Sequence, residues 1–417
     1  MPGAATRRTS LALATRLTVL ILGPCFALAT DGLEPIGVGM RANARGGADV
    51  AVGDSALSQI DNPASLARWR YPRIDTEAQL AIVAAPLRTP FDTAYSQRQL
   101  IPLANLGYAQ PLDPRWTLGL ALHSKAGLGT DYPVRHLMIP FMDRRIGTDV
   151  KVFDTQLNVG YRLTDQLFVG AGARIEVATA RFSTVLGPAD LDFGRGYAYG
   201  GGFQTGLLYR PRPDLSLGLA YRSPTWYGDL AGGDVRAALF GIVPVTLGRG
   251  AIPDLRLPQR ISAGLAWDAT DWLKLVGELR WINYGGTSFH ATSLVLDGPL
   301  PLRYPFPLGY RDQWAAILGA EVRLSEHWVL GAGYHYATAP VDRLHVLPIC
   351  SAISQHHATL GVRYERDNWW VGVGYVLGFP TTLRGCGRSA IPLSIDSAHS
   401  EITQTQHIIA IGFGFSW

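Results

Sequence analysis

Residues 210–222 read RPRPDLSLGLAYR. A tight polar turn ending at Asp214 gives way to a strand in which Leu215, Leu217, Leu219 and Tyr221 alternate with Ser216, Gly218, Ala220 and Arg222. A strict period of two puts these two sets on opposite faces of one strand. The same turn-then-strand unit recurs as LDPRWTLGLAL (112–122), LTDQLFVGAGA (163–173), ATDWLKLVGEL (269–279), LSEHWVLGAGY (324–334) and ERDNWWVGVGY (365–375). The connections between these units are several times longer and differ in composition. Short turns on one side and long loops on the other are the signature of a transmembrane β-barrel.

Bulk composition agrees with that reading. Of 417 residues only 17% are charged, the mean hydropathy is +0.09, and 47 glycines accompany 11 Trp and 17 Tyr. Beyond the leader no apolar run reaches the roughly 18 residues that a spanning helix needs. A lipid-facing chain without such helices satisfies its backbone between strands, in a closed barrel. The net charge of +4 is scattered rather than gathered into a basic block, so no nucleic-acid partner is expected.

Period-two alternation predicts an all-β transmembrane antiparallel barrel of about fourteen strands: 74–83, 100–110, 116–126, 150–162, 167–181, 196–210, 214–223, 258–268, 272–283, 312–324, 327–337, 356–365, 368–378 and 403–417. An even count returns both termini to the periplasm and makes the connections alternate between long outer loops and short inner turns. A charge on the lipid face near the midplane costs about 2–4 kcal/mol, so the charged sets belong to the lumen. Glu176, Glu278 and Glu321, beside Arg174, Arg280 and Arg323, read as lumenal ion-pair ladders. Trp116, Trp272, Trp328 and Trp369 sit at or just past short turns, where an interfacial aromatic belt lies. In the last strand Ile409, Ile411, Phe413, Phe415 and Trp417 share one face. A terminal aromatic on such a strand is similar to the signal read by the barrel assembly machinery of the outer membrane, an expected partner.

Residues 1–29 read as a secretory signal peptide: Arg7 and Arg8, an apolar core from Leu11 to Leu22, and a small-residue cleavage site at Ala27-Leu28-Ala29. Cys350 and Cys386 fall in successive long loops. The oxidising surroundings of an exported protein admit a disulfide between them, which spacing leaves open. Enzymatic motifs are not found. Gly37-x-Gly39-x-x-Ala42 follows a leader and opens no βαβ unit, and no G-x-S-x-G elbow occurs. His335, His356 and His357 lack the spacing of a metal set. The expectation is a non-enzyme with no cofactor and no metal.

Two features depart from a water-filled porin. Residues 30–71 precede the first strand of a barrel expected over 72–417; rich in Gly, Ala and Asp, they read as a plug, or hatch, in the lumen. The outer loops are also apolar. HLMIPFMD after the third strand carries Leu137, Met138, Ile139, Phe141 and Met142; AALFGIVPVTLG after the seventh carries Leu239, Phe240, Ile242 and Val243. Exposed apolar patches of this kind mark a binding surface.

Taken together the chain resembles the outer-membrane long-chain fatty acid transporters (FadL) and their toluene-transport relatives. The hatch carries the match: Gly47, Ala48, Ala51, Asp54 and Ala56, then Asn62-Pro63-Ala64 and Leu66, with Ser55 and Ser65 departing from the family pattern. Tyr221-Arg222-Ser223-Pro224, Leu257-Pro258 and Tyr310-Arg311-Asp312-Gln313-Trp314 extend it along the mature chain. The resemblance implies a monomeric outer-membrane protein for uptake of long-chain fatty acids or related lipophilic compounds by diffusion. It further implies capture in a groove between outer loops, a shift of the hatch and lateral exit beside a kinked third strand, where Gly119, Gly127 and Gly129 are candidates for the kink. A carboxylate cargo wants a cationic clamp, and Arg174, Arg222, Arg280 and Arg363 are the candidates; an aromatic hydrocarbon needs none. Surrounding outer-membrane lipid and lipopolysaccharide are the remaining expected partners. The competing reading is a surface barrel that binds or adheres through its loops without transport.

Overall fold

The computed structural model describes residues 31–417 apart from 136, 137, 243, 300 and 351. The leader expected over 1–29 therefore lies outside the described residues, as do Leu137 and Val243.

Fourteen antiparallel strands form the barrel: β1 Arg73–Ala84, β2 Leu100–Pro111, β3 Trp116–Arg135, β4 Asp143–Arg162, β5 Leu167–Leu186, β6 Ala189–Arg212, β7 Leu215–Arg222, β8 Arg260–Asp268, β9 Leu273–Ile282, β10 Gln313–Arg323, β11 Trp328–Ala337, β12 His356–Arg366, β13 Trp369–Arg384 and β14 Glu401–Ser416. Each pairs with its sequence neighbours, and β14 closes the ring on β1 from Arg73↔Ser416 to Ala84↔Thr405. Closure leaves no free edge, which is what a backbone surrounded by lipid requires. All fourteen strands fall where alternation put them.

The faces also follow alternation. In β7, Leu217 and Leu219 are exposed to the outside, whereas Ser216, Ala220 and Arg222 are buried in the lumen. In β14, Ile409, Ile411 and Phe413 lie outside, as does Trp417 just past its end. Trp116 packs on Tyr161 and Trp328 on Tyr364, ring to ring, at the short-turn rim.

Length departs from expectation on one side. Strands β3, β4 and β5 run 20 residues each and β6 runs 24, about twice what a tilted spanning strand needs. Their outer halves stand beyond the membrane as a raised wall. The stretch read as an apolar loop after β7 is instead a hairpin, Leu230–Leu239 with Pro244–Ile252, whose first strand pairs with outer β6 (Val235↔Phe193, Leu239↔Ala189). A second hairpin, Thr292–Asp297 with Leu302–Phe306, adds to it through Arg249↔Asp297.

Residues 31–71 fill the lumen. They carry a single-turn helix α1, Met40–Ala44, and two 3₁₀ turns, Ala56–Ile60 and Pro63–Arg68, and are almost wholly buried. Ser55 and Asn62 cap the two turns through their side chains. Glycines of the wall let the hatch backbone come this close. A Cβ on Gly218 would sit 2.1 Å from the Val50 carbonyl oxygen, and one on Gly170 would sit 2.3 Å from the Pro63 carbonyl carbon. Several of these glycines face one another across the ladder, as in Gly160↔Gly170↔Gly206 and Gly218↔Gly264.

Candidate functional site: a latched hatch beneath an apolar cavity

The lumenal charges hold the hatch. Arg45, fully buried, donates to Asp49 (3.0 Å), Asp54 (2.9 and 3.1 Å) and, across to the wall, Glu321 (2.8 Å). Arg280 of β9 donates to Glu278 (2.6 Å), Asp31 (3.3 Å) and the carbonyls of Ile36 and Gly47 (2.6 Å each). Glu278 in turn accepts the backbone N–H groups of Asp49 (2.9 Å) and Val50 (3.0 Å). Glu77 of β1 accepts from the Gly39 N–H and from Asn43 and Asn105. Glu34 is held between Arg222 and Arg260, and Arg260 also holds Asp61. His335 bridges Asp31 (2.7 Å) and the Gly46 carbonyl (3.1 Å).

These contacts shift the hatch carboxyls. Burial acts to raise Asp31, Glu34, Asp54 and Asp61, but the facing cations outweigh it and hold all four below their ordinary values, Asp54 far below under Arg45 and Arg41. Asp49 goes the other way: burial, with Asp54 and Asp61 nearby, overcomes Arg45 and pushes it up to about 7.

The expected ladders are thus partly redrawn. Arg174–Glu176 (2.7 Å) and Arg280–Glu278 pair along their own strands. Glu321 is taken by Arg45 and Arg363, while Arg323, half-exposed at the periplasmic rim, reaches Glu365 at 3.5 Å. Of the four clamp candidates, Arg222 and Arg280 bind hatch carboxylates directly, Arg363 binds Glu321 and Glu365, and Arg174 binds Glu176 and the Ser223 carbonyl. Of the hatch residues Gly47, Ala48, Asp54, Asn62, Pro63 and Ala64, Gly47 meets the barrel wall through its carbonyl, which accepts from Arg280, and Asn62 through its amide, which donates to the Leu207 carbonyl (3.1 Å) and, within the hatch, to that of Val50 (2.7 Å).

Above the hatch lies an apolar cavity of about 70 Å³. Leu33 forms its floor; Ala126, Val150, Val152, Ala178 and Phe182 its wall; Leu230, Leu257, Phe289, Phe306 and Leu308 its roof. Among the described residues, the polar side chains lining it are the hydroxyls of Thr148, Thr179, Ser288 and Thr292 and the Cys350 thiol, with no Lys, Arg, His, Asp or Glu. These residues were not singled out from sequence. The available signal was a change along one face: inward positions of β4 run Asn158, Gln156 and Asp154 beside the hatch, then Val152 and Val150 above it.

Beside this cavity the wall is incomplete. The β2–β3 ladder runs from Pro111↔Thr117 to Asn105↔His123 and ends there, although β2 stays paired with β1 up to Leu100↔Ile82. Immediately beyond, β3 bulges against β4 between Ser124↔Phe153 and Ala126↔Val152, leaving Lys125 as the extra residue. Its ammonium points inward to Glu176 (2.8 and 2.9 Å) and Thr225 (3.1 Å), and Glu176 also accepts from Tyr227. The Gly127 N–H turns to the hatch and donates to the Leu33 carbonyl at 3.3 Å. Gly127 thus lines the cavity, Gly129 lies under Arg98, and Gly119 packs on the hatch at Gln59 and Leu66.

The apolar loop residues stand apart from this cavity. Met138, Phe141, Leu239 and Ile242 are exposed at two hairpin tips, with Ile139, Met142 and Phe240 partly covered. Arg144 brings the tips together, reaching Met142 Sδ at 3.5 Å and lying under Gly241. Cys350 and Cys386 are free thiols.

The family model for outer membrane protein transport protein (OMPP1/FadL/TodX) matches residues 37–367. Among solved structures, the toluene transporter TodX of P. putida superposes with a TM-score of 0.79 at 18% identity, covering 92% of this chain and 99% of that one. The Ralstonia pickettii toluene transporter TbuX gives 0.74 at 19% identity over 92% and 99%. A Pseudomonas aeruginosa FadL homologue gives 0.76 at 14% identity over 92% and 99%. No curated protein matches in sequence.

Proposed function

Because the chain belongs to the outer membrane protein transport family, whose members carry hydrophobic compounds across the outer membrane, we propose that its cargo is an uncharged lipophile. The cargo rests in the apolar cavity and leaves sideways through the gap between β2 and β3. The composition of the cavity lining is the observation that carries this reading.

A carboxylate brought into that cavity would lose its hydration and meet no cation, at a cost of several kcal/mol. The neighbouring cations are already engaged: Lys125 and Arg174 by Glu176, and Arg222 by Glu34. Using one for cargo would take from Glu176 or Glu34 one of its two cationic partners. A neutral molecule incurs neither cost and gains about 0.8 kcal/mol for each CH₂ it buries.

Size adds a dynamic requirement. A benzene-sized guest occupies a cavity of about 150 Å³, twice the free volume present. Loading therefore displaces lining groups, and Leu33 is the one that the hatch contributes. Moving Leu33 also breaks its bond to Gly127, so loading the cavity loosens the hatch from the strand that flanks the gap. The apolar tips around Arg144 serve as the outer landing surface, and Lys125, by forming the bulge, holds β3 away from β2.

The test is equilibrium binding of a neutral alkylbenzene and of a medium-chain carboxylate of matched length to the purified barrel, with Val152→Trp as the filled-cavity control. Saturable binding of the neutral ligand, abolished by Val152→Trp, supports the reading. Tighter binding of the carboxylate at neutral pH overturns it.

A further inference from the structure

The raised outer wall carries a second concavity, which shares Thr148 and Phe182 with the apolar cavity. It is a cleft of about 470 Å³ on the outside of β3–β6, bounded by the first strand of the outer hairpin. Its position follows from strand alternation. On β4, Leu157 and Phe153 face lipid, and the same face continues outward through Lys151, Asp149, Gly147 and Arg145. On β6 the outward Phe203, Tyr199 and Tyr197, all exposed, give way to Arg195. The cleft thus begins where an apolar and aromatic band ends, at the depth of the lipid head groups.

Its charges are unbalanced. Asp149, which is buried, is shared by three cations: Arg195, Arg98 (3.5 Å) and Lys151 (3.6 Å). Arg145 pairs with Asp131, Arg181 with Asp192 (3.2 Å) and Arg144 with Asp190 (2.9 Å). Arg236 lies exposed at the cleft edge, level with Asp192 in the ladder. Five arginines (Arg98, Arg145, Arg181, Arg195 and Arg236) therefore line the cleft with four carboxylates, while Lys151 reaches Asp149 and Arg144 reaches Asp190 from outside the lining. Arginine forks match phosphate oxygens in two-pronged geometry, and a half-buried site with surplus positive charge favours a dianionic group.

We propose that this cleft binds the phosphate of an outer-leaflet glycolipid, with the sugar head in the cleft and the acyl chains lying down the band formed by Tyr197, Tyr199, Phe203 and Ile175. The continuous apolar band below is what selects a lipid over free phosphate. Such a lipid would brace the tall outer halves of β3–β6, which form one side of the cargo cavity.

The experiment uses the full barrel stripped of lipid in detergent, with binding read by native mass spectrometry. The probes are diphosphorylated lipid A, its fully dephosphorylated form and inorganic phosphate. The protein should bind the diphosphorylated lipid at least about tenfold more tightly than the dephosphorylated one, since each charge-assisted contact contributes on that order. Arg181→Ala/Arg195→Ala should abolish that preference, while Arg212→Ala, on the turn side, should keep it; a heat-sensitive shift in gel mobility confirms that both variants are folded barrels. Equal affinity for the two lipids overturns the proposal, as does inorganic phosphate binding as tightly as the lipid.

Discussion

Replacing Arg45 by Ala removes the cation on which two hatch carboxylates and one wall carboxylate converge. Asp49, Asp54 and Glu321 would then face one another in a buried space, with Arg41 and Arg363 left to serve Asp54 and Glu321 from their far sides. Removing one partner of a buried ion pair costs about 3–5 kcal/mol. Taken as a loss of hatch docking, that raises the undocked population roughly 10²- to 10⁴-fold. The readout is maleimide labelling of a Ser65→Cys reporter, with Cys350 and Cys386 replaced by Ser. Ser65 is buried in the hatch and its hydroxyl has no hydrogen-bond partner in the structure, so sulfur substitutes for oxygen with little disturbance. When opening and reclosing are fast, the labelling rate tracks the open population. Arg45→Ala should label at least about a hundredfold faster than the parent, with Arg45→Lys between them because a point charge cannot serve three carboxylates at once. Labelling of Arg45→Ala at the parental rate would refute the latch.

The same reporter tests pH. Asp31, Glu34, Asp54 and Asp61 have lowered folded values, so their stabilisation is present above the ordinary carboxylate value and is lost as pH falls through the folded ones. Asp49 has the opposite sign: its contribution is complete below 3.8 and lost as pH rises through about 7. Divided by the rate of a freely exposed thiol at the same pH, labelling should be slowest near the ordinary carboxylate value of about 4 and faster on either side; a corrected rate flat from pH 3 to 8 would contradict the assignment. Gly218→Val would drive a side chain into the Val50 carbonyl, costing about 1–3 kcal/mol of hatch docking, and should speed labelling without lowering barrel yield. Deleting Lys125 removes the bulge and lets β3 continue against β2. Uptake should fall while ligand binding persists, and unchanged uptake would remove the gap from the route.

The barrel was legible because each strand has a stretch cut to a lipid thickness that alternates strictly, so that Leu217 and Arg222 declare their sides without reference to any other strand. The outer hairpins were not legible. Residues 230–252 carry register shifts at Gly232 and near Gly248, which break the alternation that identifies a strand. Asn62-Pro63-Ala64 pointed to a hatch by family resemblance alone, and the contacts that hold residues 31–71 in the lumen were not legible, because Arg45 and Glu321 meet from 276 residues apart. The glycines invited a reading as strand-weakening kinks. Gly119 instead accommodates the hatch, and the bulge falls on Lys125, which sequence reading passed over. The cavity draws on the hatch, β3–β5 and three outer segments, a convergence that no local pattern records.

The most direct test of the account is the density of the barrel soaked separately with a neutral alkylbenzene and with a carboxylate of matched length. The neutral ligand should occupy the space between Val152, Phe182, Leu257 and Phe306, with Leu33 displaced from Gly127. A cavity that stays empty of the neutral ligand while the carboxylate occupies it, its head on a lumenal arginine, would contradict the account.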